Sequence, residues 1–167
     1  MAYATASNAT LFVVETSELV PAVSARFQRL SVDDQLGLLW FVYTEMGKSI
    51  TPAAPGAARL HLAEGLLEQI KAMEPSEQLQ VMRDLAARRS TPVSRAYGAF
   101  SVNTKLAFWY RLAQWMDEGT VIGVPQGYRL STPAREILNV LVTKADFSQQ
   151  ISILRQAVIG MGIDPLS

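Results

Sequence analysis

The chain contains no cysteine and only one histidine among its 167 residues. The lack of cysteine excludes disulfide bonds, thiolate nucleophiles and cysteine-ligated metal sites. The histidine, His61, lies early in an amphipathic segment, where we expect an exposed position. The sequence also has no HExxH, GxGxxG, GxSxG or phosphate-loop motif. Without a paired acid and base or a metal cluster, nothing in the sequence indicates an enzyme.

An excess of charge and a long apolar run are also missing. Lys plus Arg and Asp plus Glu number 15 each, so no net field attracts a polyanion, which argues against nucleic acid as a partner. No apolar run approaches the roughly 20 residues that cross a bilayer, and the first ten residues lack the basic region of a secretory signal. We therefore expect a cytoplasmic protein with one compact domain. Its apolar content of 49% suggests a ligand cavity or a partner surface.

Helical periodicity is what the sequence does contain, and no stretch alternates with the period of a strand. Candidate caps include Ser17, Ser31 (in a capping box with Asp34), Ser76, Asn103 and Thr132. The pattern predicts an all-α bundle of about eight or nine helices. The predicted helices cover residues 17–30, 31–48, 63–73, 76–90, 94–100, 103–119, 132–143 and 147–161, with loops at 49–56 and 120–131.

Two helices carry the same stripe of large apolar residues, at i, i+3, i+4, i+7 and i+10. Residues at this spacing share one face of a helix. Periodicity alone favours an ordinary core over a ligand cavity. Tyrosines favour the cavity because a buried hydroxyl needs a partner, and methionines favour it because they adapt to irregular shapes. The stripes are Leu36, Leu39, Trp40, Tyr43 and Met46, and Leu106, Trp109, Tyr110, Ala113 and Met116.

Arginines form two further features. A cluster of four either stabilises a helix C-terminus or docks onto an acidic partner. Arg155 interrupts the inward stripe of the last helix and marks the rim of a buried surface, its stem packing while its guanidinium reaches out. The cluster consists of Arg83, Arg88, Arg89 and Arg95.

Several short segments of the sequence match one known family. They are DQL at 34–36, WF at 40–41 with Tyr43, EMGK at 45–48, AAPGAA at 53–58, KL at 105–106, FWYRL at 108–112, Pro125 with GY at 127–128, QQI at 149–151 and LR at 154–155. These segments resemble the N-terminal domain of the cyanobacterial orange carotenoid proteins. The resemblance covers residues 10–163, and the sequence ends where that family would continue into a second domain. A free-standing copy resembles the helical carotenoid proteins.

The resemblance implies two interleaved four-helix subdomains with a ligand channel between them. It divides the chain into an arm at 1–16, a carotenoid-binding domain at 17–163 and a tail at 164–167. It implies one non-covalently bound keto-carotenoid, such as canthaxanthin or echinenone, and photoprotection by quenching singlet oxygen. Alternatives within the class are a constitutive quencher of phycobilisome excitation and a carrier serving a separate C-terminal-domain-like protein. A ligand-free helical interaction module is the alternative from another class.

The resemblance also implies residue roles, an oligomeric state and a location. Arg155 matches the position that contacts protein partners. We expect a monomer or weak dimer in the cytoplasm, with the phycobilisomes on thylakoids as the candidate antenna. Pro52, Arg83, Ala113 and Trp115 depart from the family pattern, and the apolar arm at 11–14 is expected to cover the bundle or mediate self-association. The expected carotenoid contacts are Leu36, Leu39, Trp40, Tyr43, Gly56, Met82, Leu106, Trp109, Tyr110, Val124, Pro125, Tyr128, Ile151, Ser152 and Met161.

Overall fold

The computed structural model describes residues 16–50 and 60–166. Within these ranges there are eight α-helices and no strand, which confirms the all-α prediction, and no helix is long and apolar enough to cross a membrane. The predicted arm up to residue 15, the loop residues 51–56 (with Pro52 and Gly56) and Ser167 lie outside the described residues. The helices are α1 (Thr16–Gln28), α2 (Val32–Ile50), α3 (Glu64–Lys71), α4 (Pro75–Ala86), α5 (Pro92–Gly98), α6 (Val102–Glu118), α7 (Thr132–Thr143) and α8 (Phe147–Ile159).

Four helices begin one or two residues earlier than predicted, and a fifth, α7, has an earlier cap. Two of the five, α1 and α5, begin at Thr16 and Pro92 instead of residues 17 and 94, and the other three have a different cap. In α4 the cap is Glu74 rather than Ser76, because Pro75 lacks an N–H and its fixed φ suits the first helical position. In α6 the Ser101 hydroxyl accepts from the Thr104 N–H at 3.2 Å, so Asn103 lies inside the first turn. In α7 the cap is Ser131, one residue before the predicted Thr132.

The start of α2 shows only half of the predicted capping box. The Ser31 hydroxyl accepts from the Asp34 N–H at 3.1 Å, as expected. The Asp34 carboxylate does not cap its own helix. It instead accepts from the Tyr128 hydroxyl at 2.8 Å and from the Ser131 N–H at 3.3 Å. Because Asp34 is buried, its charge needs these donors, and it ties α2 to the loop before α7.

The helices form two groups of four, and one group combines both ends of the chain. In that group α1 packs on α7 and α8, and α2 packs on α7. In the other group α3, α4 and α5 pack on one another, and α6 joins them through ring contacts of Trp109 with Tyr97 of α5. The two groups meet where α2 lies on α4 and α6 and where α8 lies on α6. The α2–α6 contact therefore lies between the interleaved groups, as expected for a channel.

The turn after α8 fastens the two groups together a second time. The Gly162 N–H donates to the Leu85 carbonyl at 2.8 Å, and the Ile163 N–H donates to the Ser94 carbonyl at 3.0 Å. Gly162 has a φ of 71°, a left-handed conformation that glycine adopts without strain. The chain passes so close to α5 that a methyl group on Gly98 would collide with the Ile163 carbonyl oxygen. Gly98 is therefore required by a close backbone approach.

We expect Gly98→Ala to lower the free energy of unfolding by about 1–3 kcal/mol, because the turn must move away from α5. Gly65→Ala is the control, since nothing lies within 4 Å of an added methyl group there. Alanine at this helical position should instead stabilise the protein by about 0.5–1 kcal/mol. Urea unfolding followed by circular dichroism measures both changes. Equal stabilities of the two variants would contradict the close approach.

Candidate functional site

The two aromatic stripes face each other along antiparallel helices. Tyr43 of α2 and Tyr110 of α6 make an edge-to-face contact with ring centroids 5.3 Å apart. Leu36, near the start of α2, lines one cavity together with Met116. Leu39, one turn later in α2, lines a second cavity together with Ala113. Residue numbers thus rise along one helix as they fall along the other. The stripes form one apolar seam between α2 and α6, which we call the aromatic seam.

A first cavity, of about 120 Å³, lies at one end of the aromatic seam and is called cavity 1. Its walls come from the start of α2, from α4, from the end of α6 and from the loop that follows. Five predicted contacts line it: Leu36, Met82, Val124, Pro125 and Tyr128. The other lining residues are Asp33, Gly37, Leu79, Arg83, Met116, Ile122 and Gly123.

A second cavity, of about 60 Å³, lies further along the seam and is called cavity 2. Among the described residues that line it, none carries a formal charge. Five predicted contacts are present: Leu39, Tyr43, Leu106, Trp109 and Tyr110. Val42, Gly47, Ala113, Leu154 and Val158 complete the wall, so α8 contributes to the site as well.

Tyr43 and Tyr110 also line a polar groove next to cavity 2, together with Glu45 and Asp117. Burial, with the charges of neighbouring acids and the hydrogen bond to Tyr110 adding to it, raises the pKa of Tyr43 above its usual value. The hydroxyl therefore stays protonated. The rings of Tyr43 and Tyr110 line an apolar cavity on one side and a polar groove on the other. This is the amphipathic boundary expected for tyrosine.

Tyr97, which is not among the predicted site residues, fixes the orientation of Trp109. The Trp109 Nε1–H donates to the Tyr97 hydroxyl at 3.0 Å, and that hydroxyl donates to the Val158 carbonyl at 2.6 Å. Tyr97 is fully buried, and burial raises its pKa well above the usual range. A buried tyrosine needs a polar partner. The presence of Tyr97 in the short α5 segment was therefore the one sequence signal that could have indicated this hydrogen bond. The chain α8–Tyr97–Trp109 holds one wall of cavity 2 in place.

Asp34 plays the corresponding part at cavity 1. Its carboxylate accepts from the Tyr128 hydroxyl, and the Tyr128 ring lies over Gly37, where an added methyl group would come within 2.9 Å of the ring. Burial, followed by the bond to Asp34 and its charge, raises the pKa of Tyr128 to about 12. The tyrosine is therefore a neutral donor at physiological pH. Gly37 leaves room for it.

Four of the remaining predicted site residues are not part of either cavity lining. Trp40 is half-buried and stacks on Tyr43 at 6.0 Å, Ile151 and Ser152 are half-buried on α8, and Met161 is buried in the core. The fifth, Gly56, lies outside the described residues. The structure thus brings ten predicted contacts to the two cavities.

Arg155 and His61 carry the other sequence-based expectations. Arg155 is half-buried on α8, and its buried Nε has no hydrogen-bond partner among the described residues. His61 is exposed, as predicted. In residues 16–50 and 60–166, no group of three or more His, Cys, Asp or Glu side chains is placed to hold a metal ion. The chemistry available at the cavities is apolar contact, tyrosine hydrogen bonding and, at cavity 1, the charged side chains of Asp33 and Arg83.

Comparison with known proteins gives a consistent family assignment. The family model described as "Orange carotenoid protein, N-terminal" matches residues 14–164. An orange carotenoid-binding domain-containing protein of Nostoc sp. is 56% identical over 156 residues, which are 93% of this chain and 91% of the relative.

Two solved structures extend the comparison. The orange carotenoid protein of Anabaena (Nostoc) sp., solved binding canthaxanthin, is 50% identical with a TM-score of 0.81, over 89% of this chain. This chain spans about half, 47%, of that protein's length. The Red Carotenoid Protein of the same organism, also solved binding canthaxanthin, is 40% identical with a TM-score of 0.74, over 86% of this chain and 97% of its own.

The geometry at Trp109 predicts the effect of Tyr97→Phe. This change removes the acceptor of the Trp109 Nε1–H and the donor to the Val158 carbonyl, so two buried polar groups lose a partner. We expect the free energy of unfolding to fall by about 1–3 kcal/mol. Urea unfolding monitored by tryptophan fluorescence tests this, with Tyr110→Phe as the control. Tyr110 is half-buried beside the polar groove, so its variant should lose much less. Equal losses would contradict the role of Tyr97.

Proposed function

The chain belongs to the family of the orange carotenoid protein N-terminal domain, and on this premise we propose that it binds one keto-carotenoid and quenches singlet oxygen. One observation carries the proposal: two apolar cavities lie along a single aromatic seam between interleaved groups of helices. A carotenoid is a long apolar rod, and its transfer from water into such a seam is driven by the hydrophobic effect. Canthaxanthin is the first candidate, since the solved relatives are described as binding it.

The pigment must occupy both cavities and the part of the seam between them. Cavities of about 120 and 60 Å³ are each smaller than the roughly 300 Å³ of ordinary ligand pockets. Leu36 and Met116 line cavity 1, while Leu39 and Ala113, one helical turn away, line cavity 2. We infer that these side chains move apart as the polyene enters. The Met116 side chain is half-buried and unbranched, and such side chains repack easily.

Quenching of singlet oxygen fits the residues at this site. The pigment accepts the excitation and releases it as heat, so the protein needs no nucleophile, general base or metal. Its contribution is to dissolve the pigment, to hold its end rings and to admit oxygen. Trp109 and Tyr43 supply flat, rigid walls at cavity 2, with Trp109 fixed through Tyr97. These rings restrict rotation of a bound end ring against the polyene.

The division of the chain and its cellular setting remain part of the proposal. We assign carotenoid binding to residues 17–163, with residues 1–16 as an arm and 164–167 as a tail. A monomer or weak dimer in the cytoplasm suits a carrier of a water-insoluble pigment. Transfer of the pigment to a separate C-terminal-domain-like protein is compatible with this site, because cavity 2 is itself only partly enclosed.

Quenching of antenna excitation is the second candidate function. The observation that favours it is Arg155, whose Nε is buried without a partner among the described residues. The side chain as a whole is only half-buried, so the exposed part of its guanidinium is available to a carboxylate of a partner protein. Phycobilisomes are the candidate partner that the family resemblance implies.

Visible absorption of the chain mixed with canthaxanthin tests pigment binding. We expect a broad band, shifted to the red of the pigment in organic solvent. Trp109→Phe should weaken binding by roughly tenfold or less, as expected for one ring contact, and shift the band back. Trp115→Phe is the matched control, because Trp115 is an equally buried tryptophan of α6 that lines neither cavity. A wild-type chain that stays colourless would contradict pigment binding and favour a ligand-free interaction module.

Two quenching measurements on the pigment-loaded protein separate the candidate functions. We expect it to shorten the lifetime of singlet-oxygen phosphorescence far more than the pigment-free chain does at the same concentration. We also expect the fluorescence of isolated phycobilisomes to remain unchanged. If that fluorescence falls, and Arg155→Ala but not the exposed control Arg135→Ala restores it, antenna quenching replaces the first proposal.

A further inference from the structure

Cavity 1 ends at an ion pair that joins α2 to α4. The Arg83 Nε–H donates to Asp33 Oδ1 at 2.9 Å, and an Nη2–H donates to Asp33 Oδ2 at 3.1 Å. Among the described residues that line cavity 1, these two are the charged ones. They also line an open cleft on the outside, next to Gln80 and Arg89. The ion pair therefore lies where the apolar cavity meets the polar surface.

The guanidinium of Arg83 has donors to spare at this boundary. Arg carries five N–H groups in a planar fork, and Asp33 accepts from only two of them. The side chains of Arg83 and Asp33 are 42% and 49% exposed, so both groups can turn without breaking the core. A ligand group that reaches the mouth of cavity 1 therefore meets an N–H donor that carries a positive charge.

We propose that Arg83 is a specificity-determining residue, which donates a hydrogen bond to the oxygen of a carotenoid end ring held in cavity 1. The inference rests on the proposed function and adds which pigments the chain prefers. The apolar walls, such as Leu36 and Met82, contact any end ring alike. A hydrocarbon ring leaves the guanidinium without a ligand partner, whereas a ring ketone accepts from it. Hydrogen bonds from a charged donor are stronger than those between neutral groups.

Asp33 sets how available the guanidinium is. Its carboxylate competes with the ring ketone for the same donors, so the ion pair and the ligand bond oppose each other. The two residues therefore make opposite predictions. Removing Arg83 lowers the preference for a ring ketone, and neutralising Asp33 maintains or raises it. A purely structural ion pair would make both changes act in the same direction.

The test is a competition between canthaxanthin and β-carotene, which lacks ring oxygen. The pigment-free chain is incubated with an equimolar mixture, and the bound pigments are extracted and separated. We expect the wild-type chain to prefer canthaxanthin. Arg83→Met should lower the bound ratio by about fivefold, as expected for one partly exposed hydrogen bond to a charged group. Asp33→Asn should leave the ratio at the wild-type value or above it.

Two further variants make the competition decisive. Arg83→Lys keeps the charge but loses the fork and should give an intermediate ratio. Arg95→Met is the control, because Arg95 is exposed and bonds to Ser90 away from both cavities. A ratio unchanged by Arg83→Met, or lowered equally by Asp33→Asn, overturns the role of Arg83. A wild-type chain that binds neither pigment overturns the proposed function itself, so the two failures are distinguishable.

Discussion

The packing of α2 against α6 is the contact on which the rest of the structure depends. Both helices present large apolar side chains along the seam, and the chain forms its two interleaved helix groups on either side of it. Rigid rings cannot interdigitate as completely as branched aliphatic side chains. The edge-to-face contact of Tyr43 with Tyr110 holds the helices together at one place, while space remains on both sides of it. The same residues that close the fold therefore also leave the cavities.

Helical periodicity was enough to predict the elements and the faces that meet. Leu36, Tyr43 and Trp109 reach the cavities because residues three and four apart share a face, and this needs no knowledge of the partner helix. Helix starts were predicted less well. Several polar residues compete for the cap in each case, and the choice between Ser101 and Asn103 depends on which side chain stays exposed. The Ser101 position is exposed, whereas Asn103 is half-buried between neighbouring elements.

The residues that hold the cavity walls could not be predicted from local pattern. Tyr97 acts through Val158, which lies 61 positions away, and Asp34 acts through Tyr128, 94 positions away. In the sequence, Asp34 has the spacing of a capping box, and that local interpretation was half wrong because tertiary donors compete more strongly for a buried carboxylate. Trp40 lies on the same stripe and reaches the site through Tyr43. Its ring stacks on the Tyr43 ring, which lines cavity 2.

The cavities have an energetic consequence that links the fold to the proposed ligand. Unfilled apolar space costs about 24 cal/mol per Å³ in a core, so cavity 1, at about 120 Å³, costs at most about 3 kcal/mol. The cost is lower where the space is open to solvent. Hydrogen bonds to Tyr97 and Asp34 fix the rings of Trp109 and Tyr128 as walls of this space. A ligand that fills the seam and binds only the folded chain stabilises it by mass action. The buried hydrogen bonds that define the walls therefore also define where an apolar ligand fits.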